Sequence, residues 1–234
     1  MADSVIDRWV TFDVYSALFD FRGSLLPALT QALDGDDRSH AKGVLECWRT
    51  RQLAVAMHHS MLQRGHLSFR RATALALDYA LATNAIDLPR RVRQSLVDAW
   101  DELSPWPDAP AALAKLHEQG YRLALLSNGD QDMLEALARR LPFIEAVLSA
   151  ERAGAYKPHP NVYWHALHTL DVLPEALIHV AGSSTDVMGA RAAGLACAWS
   201  NRFDDRLVEP RFTPDWVVAD LSQLPAVLAY GVVS

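Results

Sequence analysis

The stretch between Pro107 and Ser200 constrains the chain most. Four short apolar runs, Arg122 to Leu126, Ala146 to Ser149, Ile178 to Ala181 and Cys197 to Ser200, alternate with longer stretches of helical spacing. Runs that are apolar on successive positions suit strands buried on both faces, and a helix between two strands returns the chain in parallel. The alternation predicts an α/β fold, a Rossmann-like doubly wound parallel sheet covered by helices. Trp9-Val10-Thr11-Phe12 near the start of the chain reads as a further strand of the same sheet.

Between that strand and Ser104-Pro105-Trp106-Pro107 the pattern is different. From about Ser39 to Leu103 the spacing is helical only. Val92, Leu96, Ala99, Trp100 and Leu103 share one helical face behind Leu88-Pro89, and proline is tolerated in a first turn. Ser68 is suited to cap a helix running through Phe69, Ala72, Leu75, Ala76 and Tyr79, and Trp48 and Val55 sit on an earlier one. The core domain is therefore expected to be discontinuous, residues 1–21 and 104–234, with residues 22–103 inserted as a helical cap domain.

Composition excludes little but is consistent. Half of the 234 residues are hydrophobic, enough for a sizeable core. A net charge of −6 gives no reason to expect nucleic acid as a partner. Cys47 and Cys197 have neither a disulfide framework nor zinc-ligand spacing, and no signal-like or membrane-spanning apolar run is visible, so a cytoplasmic protein without membrane association is expected. The adjacent His58 and His59 point to different helix faces, and Arg90-Arg91-Arg93 reads as a solvated helix start.

In an open parallel sheet, ligands bind beyond the carboxyl ends of the strands. Asp13 follows the first strand; Ser127 and Asn128 end the most apolar one and offer hydroxyl, amide and loop donors. Lys157 stands in a turn before a helix that carries Tyr163, and Asp186 stands where a strand turns into a helix. Each has an ordinary structural explanation, as a cap, a turn former or a solvated lysine. Their order along the chain is the stronger signal.

With these residues the chain resembles the haloacid dehalogenase superfamily, and within it the L-2-haloacid dehalogenase group. "FDVYSALFD" is similar to that group's "FDVYGTLFD", and "LLSNG" is shared. "YKP" is followed by Tyr163 six residues after Lys157; Trp199-Ser200-Asn201-Arg202 fits "W-x-N-R", and "WRTRQL" resembles "WRxKQL". The resemblance covers nearly the whole chain. It implies a metal-independent hydrolase without a cofactor, acting on a short L-2-substituted carboxylic acid, and a homodimer. Asp13 would displace the C2 substituent and form an ester that water hydrolyses to a 2-hydroxy acid. Lys157 would keep Asp13 ionised, Ser127 and Asn128 would bind the substrate carboxylate, and Asp186 would position or deprotonate the water. Arg49, from the cap, would receive the leaving anion. Tyr15 replaces the second acid of the phosphatases' D-x-D and Gly182 the first acid of their last motif, which leaves few ligands for Mg²⁺ and disfavours phosphatase activity. Tyr15 would instead wall the pocket, with Tyr163 also placed at the substrate.

The chain departs from the group inside its motifs. Ser16 and Ala17 stand for glycine and threonine, and "S-S-N-A-W-D" reads Ala181-Gly182-Ser183-Ser184-Thr185-Asp186. One lost preorganised donor costs roughly 3–4 kcal/mol in a transition state. Either Ser183, Ser184 or Thr185 compensates, with Ser183 the candidate catalytic residue, or the leaving group is not a halide. L-Azetidine-2-carboxylate, opened by the same aspartate chemistry, is the alternative substrate; a phosphatase and an inactive binding protein are the other readings.

Overall fold

The computed structural model describes residues 8–229 apart from Asp34 and Arg64. The outermost parts of the expected core segments, 1–7 and 230–234, lie outside the described residues. Six strands form one sheet: β1 (Trp9–Phe12), β2 (Arg122–Ser127), β3 (Ile144–Ser149), β4 (Leu177–Ala181), β5 (Ala196–Ser200) and β6 (Trp216–Val218). All neighbours pair in parallel, in the order β3-β2-β1-β4-β5-β6. Val10, Phe12, Leu123 to Leu126 and Val180 are fully buried, as the continuous apolar runs require.

Two details differ from the sequence reading. β3 starts two residues earlier, at Ile144, and the edge strand β6 was not anticipated. β6 has three residues and leaves Val217 58% exposed, so neither length nor alternation marks it.

Between β1 and β2 lie α1 (Phe21–Ala32), α2 (Ala41–Leu62), α3 (Phe69–Thr83) and α4 (Arg90–Asp98). α1 carries Gly23 and Pro27, two poor helix formers, and lies outside the span that spacing alone marks as helical. Asp20 caps it by accepting from the Gly23 N–H at 2.8 Å. Ser68 caps α3 as expected, accepting from the Arg71 N–H at 3.1 Å. Pro89 takes the N-cap position of α4 rather than its first turn, and the expected face buries Leu96, Trp100 and Leu103. α2 and α3 are joined by polar bonds as well as by packing. Trp48 donates its indole N–H to the Thr73 carbonyl at 2.8 Å, and Gln52 donates to the Thr73 hydroxyl at 2.6 Å.

The helical segment is tied to the sheet at two places. Asp20 N–H bonds the Ser104 carbonyl at 3.0 Å and Trp106 N–H the Leu18 carbonyl at 2.9 Å, so the outgoing and returning chains run side by side. On another side Asp130, beyond β2, accepts from the Phe69 and Arg70 N–H groups at 2.6 and 2.9 Å and so satisfies free donors at the start of α3. The remaining helices are α5 (Ala109–Glu118), α6 (Gln131–Ala138), α7 (Ala150–Ala153), α8 (Pro160–Leu170), α9 (Ser184–Ala192) and α10 (Leu224–Ala229). Among the described residues, no helix is long and apolar enough to cross a membrane.

Candidate active site

Strand order reverses beside β1, whose neighbours are β2 on one side and β4 on the other. Chains leaving such a point diverge and open a crevice at the carboxyl ends of the strands. Asp13 is the first residue beyond β1, and its N–H bonds the Val180 carbonyl of β4 at 2.9 Å. The next five residues, Val14–Leu18, form a single π-helical turn closed by a bond from the Phe19 N–H to the Val14 carbonyl at 3.0 Å. The turn leaves the Asp13 carboxylate at the crevice with its side chain 13% exposed.

Ser127 and Lys157 both reach Asp13 Oδ1, Ser127 donating at 3.3 Å and the Lys157 ammonium at 3.5 Å. Asp13 Oδ2 has no hydrogen bond among the described residues and lies against the loop at Gly182. A Cβ at Gly182 would come within 2.5 Å of the Ala17 nitrogen and 2.9 Å of Asp13 Oδ2, so only glycine lets this loop approach so closely. The same geometry explains why an acid at this position would not fit without a backbone shift.

Lys157 is held by the Asn128 side chain, whose oxygen accepts the Lys157 backbone N–H at 2.8 Å. Its ammonium also donates to Asp186 Oδ2 at 3.1 Å. Asp186 sits in the first turn of α9, behind the N-cap Ser183, whose hydroxyl accepts the Asp186 N–H at 3.3 Å. Burial works to raise the Asp186 carboxyl, but Lys157 above all, with the Tyr163 hydroxyl, holds it well below the usual carboxylate range.

Arg49, on α2, reaches the same cavity from the helical segment. Arg49 is half-buried, and its guanidinium lies 5.5, 5.1 and 5.5 Å from the ring centres of Tyr15, Phe21 and Trp100. Among the described residues its one hydrogen bond goes to the Gln52 oxygen at 2.6 Å, and Gln52 is fixed in turn by Thr73. Burial lowers Arg49 to about 10, against the pull of Asp13, so it stays charged at neutral pH. The Tyr15 ring stacks on Phe69 at 5.4 Å and lines the cavity, while its hydroxyl is buried without a hydrogen-bond partner among the described residues.

The cavity holds about 510 Å³ and brings together Asp13, Tyr15, Arg49, Ser127, Asn128, Lys157, Ser183 and Asp186 from both segments. Tyr163, expected at the substrate, is placed elsewhere. It is fully buried beneath Asp186, donates to Asp186 Oδ1 at 2.7 Å and does not line the cavity. Its expected place at the substrate came with the resemblance, from its position six residues after Lys157, and that spacing does not reveal which way the ring turns.

His179 was missed. It lies inside β4, in a run that reads as an ordinary buried strand, and it is fully buried. Its Nε2 is 3.2 Å from Lys157 Nζ and 3.0 Å from Asp186 Oδ2, and its Nδ1 is 3.0 Å from the Thr11 hydroxyl. A histidine in the middle of an apolar strand was the available signal, since a buried imidazole needs polar partners.

A paired nucleophile-sized carboxylate at the switch point of a doubly wound sheet, faced by a cation from an inserted helical layer, defines a hydrolase class by its architecture. Residues 8–194 match the model of the haloacid dehalogenase-like hydrolases, and the chain belongs to that family. It is 31% identical over 217 residues to the (S)-2-haloacid dehalogenase of Pseudomonas sp. (strain YL), covering 92% of this chain and 91% of the other. It is 32% identical over 221 residues to (S)-2-haloacid dehalogenase 1 of Pseudomonas sp. (strain CBS-3), covering 92% and 96%. The structure of the L-2-haloacid dehalogenase of Xanthobacter autotrophicus with chloropropionic acid covalently bound superposes with a TM-score of 0.81 at 26% identity, over 96% of this chain and 99% of that one.

Proposed function

We propose that the chain hydrolyses short L-2-haloacids by way of an ester on Asp13. The observation that carries this reading is the asymmetry of Asp13. Oδ1 is held by Ser127 and Lys157, while Oδ2 has no hydrogen bond among the described residues, and Asp13 lines the same cavity as the Arg49 cation. A carboxylate so oriented is suited to in-line attack at C2, with the halide departing toward Arg49 and the surrounding aromatic faces. Breaking the C2–halogen bond leaves an ester, and water adding to its carbonyl carbon then releases the 2-hydroxy acid.

Ser127 and Asn128 line the cavity and would bind the substrate carboxylate, and Asp186 would take the hydrolytic water's proton. Tyr15 would form the apolar wall beside C2. The covalently occupied Xanthobacter relative supports an ester route for this fold. Residues 22–103 would act as the cap over a core of residues 1–21 and 104–234. Homodimerisation and a cytoplasmic location belong to the same proposal, the first checked by light scattering.

The test is chloride release from L-2-chloropropionate, with L-azetidine-2-carboxylate and a chromogenic phosphate ester in parallel. The proposal expects chloride and D-lactate from the wild type, since one in-line displacement inverts C2, and none above background from Asp13→Asn. Ring opening or phosphate release without chloride release would replace it.

A further inference from the structure

We infer that His179 holds, for the lifetime of one step, the proton that Asp186 takes from the hydrolytic water. The inference rests on the proposed ester route and concerns its second half.

The contacts around Lys157 favour one resting tautomer of the imidazole. An ammonium has three protons and accepts none. Lys157 Nζ has three acceptors in reach, Asp13 Oδ1 at 3.5 Å, Asp186 Oδ2 at 3.1 Å and His179 Nε2 at 3.2 Å. With all three protons so placed, Nε2 is an acceptor and the proton of a neutral imidazole is on Nδ1. Nδ1–H then donates to the Thr11 hydroxyl at 3.0 Å, and that hydroxyl donates to the Ile178 carbonyl at 3.4 Å. Every donor in the chain has an acceptor, whereas the opposite tautomer sets an Nε2 proton against the Lys157 ammonium 3.2 Å away.

One contact is then left without a proton. Asp186 Oδ2 and His179 Nε2 lie 3.0 Å apart, both as acceptors. Two acceptors at hydrogen-bond distance form a slot that one added proton turns into a charge-assisted bond. Asp186 borders the cavity and His179 does not, so a proton that Asp186 takes from water in the cavity has the imidazole directly behind it.

The surrounding groups suit a brief stay. Burial keeps His179 below its ordinary range and Lys157 opposes its protonation, while Asp186 and Asp13 favour it. The other groups packed on it are the Tyr163 ring, 5.6 Å away, and its neighbours in register, Thr11 on β1 and Cys197 on β5, none of them charged at neutral pH. Asp186 alone is held too acidic to keep a proton.

The step balances as follows. Water oxygen bonds to the ester carbon of Asp13, and one water proton passes to Asp186 and on to His179 Nε2. The bond from that carbon to the substrate oxygen breaks, and the departing alkoxide takes the stored proton back through Asp186 to become the hydroxyl of the 2-hydroxy acid. The second water proton leaves to solvent as the regenerated Asp13 carboxyl ionises.

The test combines quenched-flow kinetics on L-2-chloropropionate with nitrogen-15 spectra of the histidines. In His179→Phe the decay of the protein-bound ester is expected to slow roughly 100-fold while chloride release changes less than about 5-fold, so ester accumulates. His179→Gln, which can hydrogen-bond but not hold a proton at neutral pH, is expected to leave decay equally slow. The spectra of the unmodified protein, which need neither substrate nor variant, are expected to show His179 protonated on Nδ1. Protonation on Nε2 overturns the inference, as does recovery of fast decay in His179→Gln or equal slowing of both steps. If the wild type forms an ester whose decay does not depend on His179, this inference alone falls. If it forms no ester, the proposed function falls with it.

Discussion

Asp13 and Arg49 face one cavity from two different segments, and each has a distinct consequence when changed. Arg49→Lys keeps a charge but loses the planar group that Gln52 grips and three aromatic faces surround. Its kcat on L-2-chloropropionate is expected to fall by at least about 100-fold, read by chloride release. Gly182→Ala inserts a methyl group 2.9 Å from Asp13 Oδ2. We expect a loss of about 10-fold or more in kcat/KM together with a lowered melting temperature, because the same methyl group lies 2.5 Å from the backbone nitrogen of buried Ala17 and forces the loop to shift.

His179 also predicts a pH dependence of stability. Its folded form takes up a proton less readily than an unfolded histidine, so below about pH 6.5 the unfolded chain binds more protons and stability falls as pH falls. His179→Phe removes that contribution. Urea denaturation of the variant should show a flatter profile between about pH 7 and pH 5 than the wild type; an unchanged slope would refute the assignment of a neutral buried imidazole.

At the level of elements, the helical segment depends on Asp130. Its two oxygens accept the first free N–H groups of α3 from across the segment boundary. Asp130→Ala leaves both donors without that partner and is expected to cost about 1–2 kcal/mol in urea denaturation. Since α3 packs against α2, which carries Arg49, the same variant should weaken substrate binding more than it slows chloride release under saturation. This contact was not legible in the sequence. Ser68 announced the start of α3 by local capping chemistry, whereas Asp130 is 60 residues from its partner Arg70 and nothing local links them.

The legibility of the rest follows the same division between local and distant causes. The inner strands were visible as apolar runs because both of their faces are buried, and β6 was not because it is a short edge. α1 went unread because Gly23 and Pro27 interrupt its pattern, yet Asp20 and the packing of Leu25 and Leu29 hold it as a helix. In the site, Asp13, Ser127 and Asp186 could be picked out because each stands where a strand ends or a helix opens, and Lys157, in a turn, by its order among them. Arg49 was accessible only through resemblance, since a helical arginine has no local mark of burial. Tyr163 and His179 show the remaining limit. Sequence position placed one in the cavity and hid the other in a strand, while the fold sets both against Asp186.

For the whole molecule, the sheet supplies a carboxylate at its switch point and the inserted helices supply a cation at the same cavity, so the proposed chemistry needs both segments together. The central claim is that the oxygen of the product comes from Asp13 and not directly from water. A single turnover with enzyme in excess over L-2-chloropropionate, run in water labelled with oxygen-18 and analysed by mass spectrometry of product and of the peptide containing Asp13, tests this directly. The account predicts an unlabelled hydroxyl in the product and one labelled oxygen in the Asp13 carboxylate. Label in the product hydroxyl with none in Asp13 would contradict it.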